Sequence, residues 1–196
     1  MPMQYKFVFV VICLAFAGMS YFFCKQKKDW AWLVAGLIFT VGADYFLVLH
    51  DRHLPGVAVF CFAHVCYIFR ALENFPRWRR YAFVCLPFLA AAIFIAFITG
   101  QLFVLSGIYA GLFGINITVN VRHFKQEKTV LPRFNKTLFL AGLILFALCD
   151  VNVLLFNLPR QLGVPVIFPW AFRLIWVFYL PAQVLIALSA VKFDKS

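Results

Sequence analysis

The chain has 196 residues, of which 65% are hydrophobic and only 13% charged, with a mean hydropathy of +0.93. Soluble domains run nearer 45–50% apolar and about 25% charged, so the composition excludes a soluble globule and leaves no room for a separate soluble domain. The net charge of +11 does not mark a nucleic-acid protein, because the Lys and Arg residues sit in short links between apolar runs rather than on one face.

The first apolar segment, Phe7–Cys24, carries only Lys6 ahead of it and Lys25, Lys27 and Lys28 behind it. A signal peptide places its positive charge in front, so this segment is expected to be a retained span despite its Ala15-Phe16-Ala17 stretch. Trp30–His50 is the second span and holds Asp44. Leu54–Leu72 is the third and holds His64. A basic link with Arg70, Arg77, Arg79 and Arg80 leads to the fourth, Tyr81–Thr99. A tight turn at Gly100-Gln101 opens the fifth, Leu102–Val121. The basic link Arg122–Lys136 precedes the sixth, Thr137–Phe156, which holds Asp150. A Pro-rich link, Asn157–Pro169, leads to the seventh, Trp170–Val191. Each segment approaches the ~20 residues that cross ~30 Å of hydrocarbon. The expectation is an all-α polytopic membrane bundle of seven helices forming one integral-membrane domain, residues 1–196.

Seven spans place the links after spans one, three and five, with the C-terminal tail, on one side. They hold 14 Lys and Arg residues, against 3 (Lys6, Arg52 and Arg160) on the other side. By the positive-inside rule the C-terminus is cytoplasmic and the N-terminus outside, as in a protein of the cell (inner) membrane. The six cysteines lie in or at the ends of apolar segments without a CxxC pair; they read as free thiols, not a disulfide framework.

Three ionisable residues stand inside apolar runs, and such residues are rare, face the bundle interior and mark function by default. Asp44 lies 14 residues past Trp30 and Asp150 13 past Thr137, so at 1.5 Å per residue each sits roughly 20 Å up its helix, in the outer half. His64 falls near mid-membrane. On the last span Arg173, Trp176, Tyr179 and Gln183 recur at helical spacing and are expected to face the carboxylates. Asn116 and Asn120 read as helix–helix hydrogen-bonding residues. An apolar slot is expected from Phe39, Phe46, Phe60, Phe146, Trp176 and Phe178.

The order and spacing of these residues resemble the YhhN-like lysoplasmalogenases, over spans two to seven. The resemblance rests on Gly36-Leu37, Thr40, Ala43 and Asp44; on Phe60 or Phe62, Ala63-His64 and Tyr67; on Phe146 and Cys149-Asp150; and on Phe178-Tyr179-Leu180, Ala182-Gln183 and Leu185–Ser189. The chain departs from the family pattern where Ser becomes Thr40 and Cys149, where Gly becomes Ala43, and where a Thr-Tyr-Tyr keeps only Tyr179. It shows seven spans where the family usually has eight, without the Lys-Pro near the start of the second.

The resemblance implies hydrolysis of the vinyl ether bond of a lysophospholipid, giving an aldehyde and a glycerophospho-headgroup. That chemistry asks for an acid to protonate the enol-ether carbon and a base to deliver water, as the carboxylate pair of a glycosidase does around an oxocarbenium-like transition state. Asp44 and Asp150 are the expected pair, with Thr40, His64, Tyr67, Arg173, Tyr179 and Gln183 orienting or binding and Arg173 meeting the phosphate. No metal, cofactor or nucleic acid is expected; the partners are the lysophospholipid and the bilayer. A metal reading would join Asp44, His64 and Asp150, but no HxxxH or HxxE spacing accompanies them. The alternative class is a small-molecule or proton-coupled transporter using the same two acids, for which the paired inverted repeats are missing. A retinal protein needs a Lys midway along its last helix, and a ceramidase-type zinc hydrolase needs more His than this chain has.

Overall fold

The computed structural model describes residues 3–24, 26–73, 75–126, 131–165 and 168–191. Among these are seven helices long and apolar enough to cross a membrane: α1 (Met3–Met19, extended by a 3-10 turn at Ser20–Phe22), α2 (Lys27–Asp44), α3 (His53–Leu72), α4 (Pro76–Ile98), α5 (Leu102–Lys125), α6 (Arg133–Gln161) and α7 (Ala171–Leu188). The chain is an all-helical integral membrane protein. Four of the charges behind the orientation argument (Lys25, Lys128, Lys192 and Lys195) lie outside the described residues.

Three boundaries correct the expectation. The fourth span starts earlier than Tyr81: α4 begins at Pro76 and runs 23 residues, because a proline's fixed φ and missing N–H suit the first helical turn. α5 runs on to Lys125, with Arg122, His123 and Lys125 in its last turn, where cations complement the negative end of the helix dipole. α6 continues through the Pro-rich link to Gln161. Pro159 falls in its final turn, so it removes one backbone donor without breaking the helix body. The α4–α5 turn forms as expected: Gly100 takes φ +68, and the Gln101 N–H closes on the Ala96 carbonyl at 3.0 Å, a glycine C-cap.

α3 is the central helix and is mostly buried, whereas α4 turns most of its surface outward and packs on α3 and α5. Close approach is set by missing side chains. A Cβ on Gly36 of α2 would stand 2.2 Å from Cε1 of Tyr67 on α3, and one on Gly142 of α6 would stand 2.8 Å from Ile186 Cγ1 and 3.1 Å from the Ala182 carbonyl of α7. α6 and α7 make the most extensive pair in the bundle.

One end of the bundle is tied by buried polar groups. Arg70 donates to both carboxylate oxygens of Asp29, at 2.8 and 3.0 Å, and to the hydroxyl and carbonyl of Ser189 at 3.0 and 3.2 Å. Its guanidinium lies 4.5 Å from the Phe139 ring centroid, and Asn135 donates to the Ser189 carbonyl at 3.0 Å. Four helix ends, of α2, α3, α6 and α7, therefore meet at one paired charge. At the other end α2 loosens into a π-helical turn, Tyr45–Leu49, immediately after Asp44. Such turns occur often at functional sites.

Candidate active site

The π turn, the α2–α3 link, α3, α5, α6 and α7 enclose a cavity of about 370 Å³, within the ~300–1,000 Å³ range of small-molecule sites. It opens at the end of the bundle that carries the α2–α3 and α6–α7 links. Its rim holds Asp51, His53, Asn157 and Arg160. Its walls are apolar, from Leu47, Val48, Val57, Val153, Phe156, Phe172, Ile175 and Trp176. Its inner end holds Asp44, Asp150, Cys149, Phe60, Phe146, Tyr109 and Tyr179.

Both acids border this one cavity, and each accepts a short hydrogen bond from a tyrosine on another helix. Tyr179 of α7 donates to Asp44 Oδ2 at 2.5 Å, and Tyr109 of α5 donates to Asp150 Oδ2 at 2.6 Å. Asp44 is buried and Asp150 half-buried. An acid in an apolar helix interior is costly unless paired, and here each carboxyl has one fixed partner and one side turned to the cavity. The pairs join α2 to α7 and α5 to α6, so the carboxylates are positioned by four helices.

The remaining expected site residues lie elsewhere. Thr40, His64, Tyr67 and Gln183 are fully buried and do not border the cavity. His64 is stacked on Phe113, with ring centroids 4.4 Å apart, and lies 5.8 Å from Phe146, itself a residue of the cavity's inner end. Asn120 donates to Asn116 Oδ1 at 2.8 Å, so the Asn116 amide nitrogen is the donor to His64 Nδ1 at 3.0 Å. That leaves the imidazole proton on Nε2. Among the described residues no group of three His, Cys, Asp or Glu is placed to hold a metal ion. Thr40 donates to the Gly36 carbonyl at 3.0 Å and lies 3.4 Å from the Tyr67 hydroxyl. Gln183 lies one helical turn beyond Tyr179. These four form a layer behind the floor, not part of the wall.

Arg173 is exposed and does not border the cavity. Phe172, Ile175, Trp176 and Tyr179 make the cavity-facing stripe of α7, and one position along a helix turns a side chain by about 100°. The cation at the rim is Arg160, which the sequence reading placed in a loop. Of the six aromatics expected to make the slot, Phe60, Phe146 and Trp176 do so. Phe39 instead stacks beside Phe62 at 5.7 Å on the outer surface, while Phe156 and Phe172 take up wall positions. Trp176 is backed by Lys6 of α1, whose Nζ lies 4.0 Å from the ring centroid.

Tyr109 is the main residue missed. Its signal was present: Tyr109, Phe113, Asn116 and Asn120 recur at i, i+4, i+7 and i+11, a polar-aromatic stripe on one face of which only the asparagines drew notice.

A model described as the YhhN family matches residues 3–190, nearly the whole chain. No match was found among curated proteins or among solved structures.

Proposed function

We infer the activity from the premise that the chain belongs to the YhhN family, which includes lysoplasmalogenases: it is a hydrolase of the cell membrane that cleaves the vinyl ether bond of lysoplasmalogen-type lipids. The observation that carries this reading is the pair of carboxyl groups, Asp44 and Asp150, bordering one apolar-walled cavity and each held by a tyrosine hydroxyl.

The two groups suffice for the reaction. One carboxyl, protonated, gives its proton to the enol-ether carbon remote from oxygen, and the carbon bonded to oxygen becomes an oxocarbenium ion. The second, ionised, stabilises that cation and takes a proton from the water that adds to it. The hemiacetal then collapses, releasing a fatty aldehyde and the glycerophospho-alcohol, and the proton balance is restored to the pair. One water is consumed and no redox partner is needed. Apolar walls from Leu47, Val57, Val153 and Ile175 suit the chain carbons next to the ether and keep bulk water from the cation.

The test is aldehyde release from a lyso-vinyl-ether phospholipid by the purified protein in detergent. Asp44→Asn and Asp150→Asn preserve size and are each expected to lower turnover by at least the ~100-fold typical of general acid–base groups. Parent-rate hydrolysis by both variants would refute the two-carboxylate mechanism. Absence of aldehyde from the parent would refute the activity.

A further inference from the structure

Two polar ties hold α2 against α7. At the cavity, Tyr179 donates to Asp44 Oδ2 at 2.5 Å. At the other end, Arg70 of α3 donates both to Asp29 in the first turn of α2 and to Ser189 just past the end of α7. Between the ties the two helices run in opposite directions, so residues one turn below the upper tie stand at one level. On α2 that residue is Thr40 and on α7 it is Gln183, each four residues and roughly 6 Å along its helix from the tie. Tyr67 of α3 brings its hydroxyl to the same level, 3.4 Å from Thr40 Oγ1.

This layer holds more hydrogen-bonding atoms than partners. Gln183 is fully buried, and neither its amide oxygen nor its amide nitrogen meets a hydrogen-bond partner among the described residues. Thr40 gives its proton to the Gly36 carbonyl, so the Tyr67 hydroxyl is the donor toward Thr40. Their 3.4 Å separation is well beyond the ~2.7–2.8 Å usual for hydroxyl pairs, and the lone pairs of the Tyr67 oxygen stay open. His64, one turn from Tyr67 on α3, adds a buried Nε2–H without a partner among the described residues. Buried polar groups are otherwise satisfied almost everywhere. A buried water makes two to four hydrogen bonds to groups of this kind. The Gln183 oxygen, the Gln183 nitrogen and the Tyr67 oxygen offer three.

We propose that Thr40, Tyr67 and Gln183 form a binding site for one buried water, that this water is the nucleophile of the hydrolysis, and that Gln183 and Tyr67 are its positioning residues. The water site stands on the unpartnered atoms alone, while the water's role rests on the lyso-ether hydrolase reading. That role also separates the two acids. The layer lies one turn below Asp44 on the same helix, whereas Asp150 stands on α6 with Tyr109 of α5 as its partner. Asp150 therefore protonates the enol-ether carbon. The stored water then bonds to the oxocarbenium carbon and gives its proton to Asp44. A lipid chain in the apolar cavity shuts out water from the mouth, and the stored molecule enters past Asp44 from behind the floor.

The experiment reads the water first and the chemistry second. A density map of the purified protein that is fine enough to show water should place one within hydrogen-bond distance of the Gln183 amide and the Tyr67 hydroxyl. Direct contact between those two side chains would overturn the site. Gln183→Met keeps the volume and removes the amide. Replacing an amide that bonds nothing would raise the thermal midpoint, whereas loss of a water's partner should lower it by about 2–4 °C; a raised midpoint overturns the site.

The chemistry is read from products, with vinyl-ether lysolipid and dilute methanol. Methanol adds to the same cation, gives its proton to Asp44 and leaves a mixed acetal still joined to the headgroup. A water held in place has a large advantage over a nucleophile from solution, so the parent's acetal share should fall at least about tenfold below the methanol share of the solvent. Gln183→Met and Tyr67→Phe should raise that share toward the solvent value and lower kcat roughly tenfold with KM unchanged. Azide, which adds without giving up a proton, should restore lipid consumption to Asp44→Ala and not to Asp150→Ala; any other pattern overturns the assignment of the acids. Acetal in solvent proportion from the parent overturns the stored-water role alone. If the water is seen and neither aldehyde nor acetal forms, the hydrolase reading falls and the water site stands.

Discussion

Replacing Tyr109 and Tyr179 by Phe, singly and together, tests whether the two hydroxyls are part of the chemistry. Each donates to one carboxylate, at 2.6 Å for Asp150 and 2.5 Å for Asp44, and each ring is otherwise packed, Tyr179 against Phe146 and Trp176 and Tyr109 against Phe60 and Phe113. Phe keeps that packing and removes only the donor. A hydrogen bond to an ionised group contributes about 1.5–3 kcal/mol, and each 1.36 kcal/mol is tenfold in rate. The bond is stronger to carboxylate than to carboxylic acid, so its strength changes as the proton moves and the loss appears in turnover rather than in binding alone. Each single variant is expected to lower the rate of aldehyde release roughly 10- to 100-fold. The tyrosines stand on different helices and touch different acids, so the double variant should lose the product of the two factors. Each variant must first elute from gel filtration at the parent position. Correctly folded Phe variants that both release aldehyde at the parent rate would show that the hydroxyls only satisfy buried carboxyls, and the paired acid–tyrosine mechanism would fall.

Other expected outcomes follow from the same structure. Asp29→Asn or Arg70→Met strands the partner charge at the tied end of the bundle, which typically costs about 3–5 kcal/mol; thermal unfolding in detergent should shift well below the parent, whereas an unchanged midpoint would mean that the pair is solvated. Gly36→Ala drives a methyl into the Tyr67 ring; overpacking of this kind costs about 1–3 kcal/mol and should lower the same midpoint while Gly107→Ala, which meets open space, does not. A reporter fused after Ser196 should be active only on the cytoplasmic side, as the charge split requires; activity on the outer side would invert the assigned topology.

Most of the fold was legible because the membrane simplifies the code. A span must be apolar for about 20 residues, and its backbone must be satisfied within itself, so seven apolar runs announce seven helices. The errors fall where that rule is silent. α4, α5 and α6 overrun their apolar cores at Pro76, Lys125 and Gln161, because their ends carry a first-turn proline or basic residues in the last turn, which suit a helix terminus but which hydropathy does not register. Arg70 was counted as a link charge, yet it is buried against Asp29. Nothing local marks a pair 41 residues apart as an ion pair.

The site was legible to the level of its acids, for a reason that also explains what was missed. Asp44 and Asp150 violate the apolar rule, and a violation inside a span is visible in one dimension. Tyr179 was legible through its helical spacing from Trp176 on the last span, whereas Tyr109 does not violate the rule and its role exists only once α5 meets α6. His64 shows the converse. It breaks the apolar rule as plainly as the acids do, but its Nδ1 is met by Asn116, its ring packs against Phe113 and Phe146, and it does not border the cavity. Burial among neighbouring helices and exposure to a substrate cavity look the same in sequence, even where, as at Gln183 and at His64 Nε2, the buried polar atoms find no hydrogen-bond partner among the described residues. What separates them is whether a polar atom is left facing open volume. The two aspartates, each with a single tyrosine partner and a place on the cavity wall, meet that condition; Thr40, His64, Tyr67 and Gln183, packed behind the floor, do not.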